Sequence, residues 1–220
     1  MDAMWADLVP LAIGIAISPI PIIATILVLL SPKAKTLAPL FLMGWILGIV
    51  FAVTFFMLLR NLIPSTSDSD VNSLISVVRV VVGISFGILA FREWKSRPKP
   101  GEEANLPGWM AALDQLKPAT ALGLAFALAA INPKNMLLAA NAGLIIAGAA
   151  KPVTAVLGFT AVAIVSVAVP VVAFLLLGKR IARQLEMIRG WLVSYSSTIM
   201  VLILLVLAID VTVKGMSAFF

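Results

Sequence analysis

The chain has 220 residues, 62% of them hydrophobic and only 12% charged, with a mean hydropathy of +1.12 and a formal net charge of +6. A soluble domain is about a quarter charged, so the composition is that of an integral membrane protein. Cysteine and histidine are both absent, which removes disulfides, thiol redox chemistry and most transition-metal sites, and no cofactor is expected.

The charges fall in blocks. No Asp, Glu, Lys or Arg lies between Asp7 and Lys33, Lys35 and Arg60, Lys151 and Lys179, or Arg189 and Asp210, and each gap reaches the ~20 residues a helix needs to span a bilayer. Six spans are read, at 6–30, 37–60, 71–92, 118–148, 152–178 and 191–213. The first follows an acidic start, Asp2 and Asp7, without the basic region of a cleavable signal, so it is expected to stay in the mature protein. It is interrupted near its middle by Ser18-Pro19-Ile20-Pro21. The second span carries Gly44-x-x-x-Gly48 and the third Gly83-x-x-x-Gly87. These spacings let helices approach closely and are read as packing inside the bundle, with a dimer face as the alternative. Arg79, in the third span, either snorkels to the outer surface or lines an outer vestibule. The loop 93–117 begins charged and proline-rich; its second part places Trp109, Met110, Leu113 and Leu116 on one helical face. A short interfacial helix and a simple extension of the next span are equally good readings of it. The fourth span is interrupted by Asn132-Pro133-Lys134-Asn135. Pro170 is expected to kink the fifth. The sixth opens with hydroxyls from Ser194 to Thr198 and ends near Asp210, read as interfacial.

Counting Lys and Arg by side sets an orientation. The loops after spans one, three and five hold eleven: Lys33 and Lys35, then Arg92, Lys95, Arg97, Lys99 and Lys117, then Lys179, Arg180, Arg183 and Arg189. The other side holds three, Arg60, Lys151 and Lys214. The positive-inside rule then puts the basic loops in the cytoplasm and both termini outside the cytoplasmic (inner) membrane. The basic excess is thereby a topology signal, and no nucleic-acid partner is expected. Treating both interrupted segments as re-entrant hairpins weakens the separation to 9 against 5, which favours crossing but broken helices.

The two breaks lie 114 residues apart, and at that offset Ser18 aligns with Asn132, Pro19 with Pro133, and Gly44-Trp45 with Gly158-Phe159. Each half has three spans, an odd number, so the second inserts in the opposite sense. The expected fold is all-α, six transmembrane helices in a 3+3 inverted-topology repeat, with helices one and four broken at proline motifs. Residues 1–92 form the first repeat, 93–117 a cytoplasmic linker and 118–220 the second repeat. Paired interruptions of this kind point to a substrate site at the repeat interface of a transporter.

Lys134 is the sharpest chemical signal, the only charge between Lys117 and Lys151. A lysine at a helix centre costs ~2.5–3.5 kcal/mol on the insertion scale, so it is expected to face a cavity or a partner. The competing reading is a structural lysine bonded to carbonyls freed by the break. Pro19, Pro21 and Pro133 free backbone groups that survive in a membrane only inside protein or around water. The half-helices that start after the breaks point their positive ends at the midplane, and with Lys134 they would favour a carboxylate, sulfate or phosphate. Ser18, Thr25, Asn132, Asn135 and Asn141 would supply neutral hydrogen bonds, Asn141 lying seven residues from Lys134 and so on its face. Ordinary interhelical hydrogen bonding is the alternative for each. The expected substrate-binding set is thus Ser18, Pro19, Pro21, Thr25, Asn132, Pro133, Lys134, Asn135 and Asn141. Without histidine, cysteine or clustered intramembrane carboxylates there is nothing to perform general acid–base work, so an enzyme is not expected.

These motifs resemble those of the LysE transporter superfamily: Pro19-Ile20-Pro21 in the first span, Gly44-Trp45-Ile46-Leu47-Gly48 in the second and Asn132-Pro133-Lys134 in the fourth. The stretch from Trp109 to Gly143 resembles one branch more closely, the peptidoglycolipid-addressing (GAP) or sulfolipid-addressing proteins, and the resemblance covers most of the chain. The first-span element departs from the Gly-Pro-Gly-Pro form of the amino-acid exporters. The resemblance implies a membrane transporter that exports or translocates cell-envelope glycolipids or their precursors. Its partners would be membrane lipids and an amphiphilic substrate with an anionic or sugar head near Lys134. The alternatives are an amino-acid or small-solute exporter on the same scaffold, and a non-transporting scaffold that recruits an envelope-lipid synthase through loop 93–117.

Overall fold

The computed structural model describes residues 3–62, 68–97 and 117–216. Most of the expected linker, including the interfacial helix read at 108–116, lies outside them. Among the described residues the fold is all-helical, without a strand. In chain order the helices are α1 (Ala3–Ala16), α2 (Pro19–Leu30), α3 (Ala34–Asn61), α4 (Asp68–Ser96), α5 (Pro118–Ala130), α6 (Pro133–Ala147), α7 (Pro152–Ala163) and α8 (Val165–Leu177). A 3-10 turn (Gly178–Ile181) then leads into α9 (Ala182–Met216).

Proline decides where helices start. Pro19, Pro118, Pro133 and Pro152 open α2, α5, α6 and α7, at the position where the missing N–H would be unbonded in any case. Gly178 ends α8 with φ 61° and ψ −142°, a conformation open to glycine and strained for other residues.

The first and fourth expected spans are bent pairs, broken where the sequence indicates. α1 meets α2 at 50°, and α5 meets α6 at 63°. The fifth is also divided, but at Ile164; Pro170 lies inside α8. A proline crowds the carbonyl four residues back, so its disturbance falls upstream. The Ile164 carbonyl accepts from the N–H groups of both Val167 (3.0 Å) and Ala168 (2.8 Å). The sixth helix is longer than expected. Its 35 residues run unbroken from Ala182, about 52 Å, and take Arg183, Glu186 and Arg189 into its first turns.

By length and apolarity, two stretches of the described residues can cross a membrane, Ala34–Arg60 and the run Val165–Met216; counting each bent pair as one span raises this to four. Six crossings require in addition that α4 crosses and that Gly178 separates the last run into two spans. The outer surface is apolar, with Phe51, Phe91, Leu176 and Val206 all more than half exposed, as a lipid-facing surface requires.

Glycine sets the close contacts. A Cβ on Gly44 of α3 would run into the Leu122 carbonyl of α5, and one on Gly48 would lie 2.8 Å from the Phe126 carbonyl oxygen. Gly83 of α4 lies against Thr212 of α9, whereas Gly87 has nothing within 4 Å. Three of the four spaced glycines therefore pack within the chain. At the 114-residue offset Gly158 is the equivalent of Gly44, and it lies against Trp5 of α1. Each of the pair thus seats the first half of a bent helix. The following residues, Trp45 and Phe159, are fully buried. α2 is buried along much of its length and packs on α3, α8 and α9.

Candidate functional site

A break in a helix leaves carbonyls whose usual N–H partners have gone. In a continuous helix the Gly14 carbonyl would bond residue 18 and the Ile15 carbonyl residue 19. The chain turns at Ser18, which adopts φ −99° and ψ 109°, and Pro19 has no N–H to give. Two side chains take over. Ser18 Oγ donates to the Ile15 carbonyl at 2.7 Å, and Lys134 Nζ donates to the Gly14 carbonyl at 2.6 Å. In the second break the Leu128 carbonyl is the equivalent of Gly14 at the same offset of 114. It accepts from Asn135 Nδ2 at 3.1 Å. Consecutive residues of one tetrapeptide therefore satisfy the matching carbonyls of both breaks.

Lys134 lies at the start of α6, where the helix dipole disfavours a cation. Its side chain instead reaches the carbonyl end of α1, which favours one. The ammonium also donates to Ser18 Oγ at 2.5 Å. Lys134 is 3% exposed, and among the described residues no carboxylate pairs with it. Among the described residues the ammonium is held by neutral oxygens. Asn132 completes the turn as the N-cap of α6, its side chain accepting from the Lys134 N–H at 3.0 Å. Asn135 is fully buried, and its Oδ1 lies 3.5 Å from Ser18 Oγ, too long to compete with the hydroxyl's bond to Ile15.

The structure thus gathers Ser18, Asn132, Lys134 and Asn135 into one hydrogen-bonded knot, with Pro19 and Pro21 buried beside it and Pro133 exposed. Thr25 is buried, but its hydroxyl turns back to the Pro21 carbonyl of its own helix at 2.8 Å. Asn141 is buried, and its Oδ1 has no hydrogen-bond partner. The ammonium is engaged by the freed carbonyl and the hydroxyl, which is the arrangement of the structural reading of Lys134.

Sequence reasoning missed a second polar group. Arg79 does not stand alone; its Nη2 donates to Asp7 Oδ2 at 2.7 Å. Lys214 Nζ lies 3.2 Å from Asp7 Oδ1 and 3.1 Å from Asp210 Oδ1. The four-residue spacing of Asp210 and Lys214 was a signal for one of these pairs. Nothing in the sequence tied either to residues 7 and 79.

These features define a helical membrane protein built around two broken helices and a buried lysine. Residues 8–217 match the model of the family of Sap, the sulfolipid-1-addressing protein, and the chain belongs to that family. No curated protein and no solved structure matches it.

Proposed function

We propose that the protein moves a lipid with an anionic or polar head group across the cytoplasmic membrane, the head group bound at Lys134 between α1–α2 and α5–α6. The observation that carries this is the buried ammonium with no carboxylate partner among the described residues. A cation deep in an apolar bundle is costly, and an anionic group supplies the counter-charge that the described residues do not. Membership of a family described as sulfolipid-addressing supports a lipid as the cargo. Its acyl chains would remain in the bilayer while the head crosses.

The same reading takes the chain as six crossings with both termini outside, in two inverted halves. The count of basic residues by side supports it. So do the equivalent roles of Gly14 and Leu128 at the breaks, and of Gly44 and Gly158 in seating α5 and α1. Inverted halves with broken helices at the midplane are a common transporter plan.

The test is the lipid that co-purifies with wild type, Lys134→Arg and Lys134→Met, each checked for thermal unfolding. The anionic lipid should fall on the order of tenfold or more in Lys134→Met, the scale of one charge-assisted hydrogen bond, and be partly retained in Lys134→Arg. An unchanged lipid profile in a folded Lys134→Met protein overturns the assignment.

A further inference from the structure

The second polar group lies near the start of α1 and the end of α9, against Arg79 about three turns into α4. Asp7, Arg79, Asp210 and Lys214 line a cavity of about 10 Å³, together with Leu11 and Asn141, room for roughly one oxygen-sized group. Asn141 is 3% exposed, and its Oδ1 finds no partner in the protein. A buried acceptor of this kind, on a cavity of that size, is a place for a hydroxyl from outside the chain.

Helix register places this cavity relative to Lys134. Asp7, Leu11 and Gly14 succeed one another by about a turn along α1, as do Lys134, Leu138 and Asn141 along α6, and Leu207, Asp210 and Lys214 along α9. The Gly14 carbonyl takes the Lys134 ammonium. A Cβ on Gly14 would meet both Leu138 and Leu207 at 3.1 Å. Leu11, Leu138 and Leu207, none more than 3% exposed, therefore form an apolar layer between the two polar groups, which lie about 10 Å apart along α6. On its other side, Asp210 and Lys214 border the open outer face of α9, which carries Val206, Ile209 and Val213. Those three side chains are 60–66% exposed.

We propose that the cavity at Asn141 is a second head-group station, one for the hydroxyl of a neutral, sugar-bearing amphiphile whose chain lies along the outer face of α9. The inference rests on the reading above that the protein handles lipids. Its chemistry differs from that at Lys134. Among the described residues two carboxylates stand against two cations, so this set exerts no net pull on an anion. It sets acceptors, Asp7, Asp210 and Asn141 Oδ1, beside donors, Arg79 and Lys214. A sugar hydroxyl is donor and acceptor at once and suits that mixture. The volume fits one hydroxyl, not the three or four oxygens of a sulfate or phosphate. The exposed apolar face of α9 beside Asp210 and Lys214 packs against the apolar half of the same molecule. The leucine layer then keeps the two stations apart.

An alkyl glucoside with a photoreactive diazirine in its chain, and the matching alkyl sulfate, test this on the full chain in nanodiscs. The glucoside should label the 206–213 segment of α9. Labelling should fall about tenfold in Asn141→Leu, the loss of one buried hydrogen bond to ligand. That substitution removes an unpartnered atom, so its melting temperature should match wild type. Ile209→Trp should also abolish labelling by covering that exposed face without touching the core. Undiminished glucoside labelling in either variant, or equal labelling of that segment by the alkyl sulfate, overturns the proposal. Lys134→Met separates the two readings: binding of the alkyl sulfate that survives it sinks the Lys134 site, while glucoside labelling that does not depend on Asn141 is the separate failure of this one.

Discussion

Lys134 and Asn135 are neighbours in sequence that perform the same task for different helices, each supplying a hydrogen to a carbonyl stranded by a proline break. Asn135→Leu should leave the Leu128 carbonyl unpaired in an apolar interior and cost about 1–3 kcal/mol, read as a lowered melting temperature in nanodiscs. Thr25→Val should cost less than about 1 kcal/mol, because the Thr25 hydroxyl only doubles back on its own helix. The positions of the breaks were legible in sequence, since a missing N–H is a covalent property of proline. The partners of the freed carbonyls were not. Lys134 was expected to face a cavity or to bond those carbonyls, and only the approach of α6 to α1 decides that Gly14 receives it. The same limit hid the ion pairs that Asp7 makes with Arg79 and Lys214, which lie on three helices far apart in the chain.

Helix boundaries divide along similar lines. Prolines at the starts of α2, α5, α6 and α7 fix those boundaries locally. The start of α9 is set otherwise. The charged stretch before residue 191 reads as a loop because it is polar, yet a helix once nucleated extends cheaply through polar residues. The Glu186–Arg189 pair at 2.6 Å adds support on its surface. Glycine spacing was legible as close packing, but not which glycines would be used. Gly44→Ala should cost about 1–3 kcal/mol, because its Cβ meets the backbone of α5 and not a flexible side-chain tip. Gly87→Ala, with open space beside it, should be neutral or stabilising by up to about 1 kcal/mol through helix propensity. Thermal unfolding of the two variants side by side checks both.

At the scale of the whole molecule, the absence of native cysteine makes sidedness directly measurable. Single cysteines at Lys35, Lys151 and Lys179 should react with an impermeant maleimide from the cytoplasm, the exterior and the cytoplasm respectively. Re-entrant hairpins would instead put 35 and 151 on one side and 179 on the other, so the pattern decides the crossing number and with it the inverted repeat. The length of α9 carries a consequence of its own. Trp191 and Lys214 lie about 35 Å apart along its axis, close to the ~30 Å hydrocarbon thickness, and Trp191 with Tyr195 forms an exposed aromatic pair with ring centroids 5.5 Å apart. Residues 182–190 extend the same rod beyond that boundary, and of them only Leu185 is buried. The helix is in effect a lever: a rotation of about 10° about its far end, at Met216, displaces the tip at Ala182 by about 9 Å. Small changes of tilt next to the Asp210–Lys214 pair therefore become large excursions at the opposite end, where a spectroscopic label at Arg183 would register them.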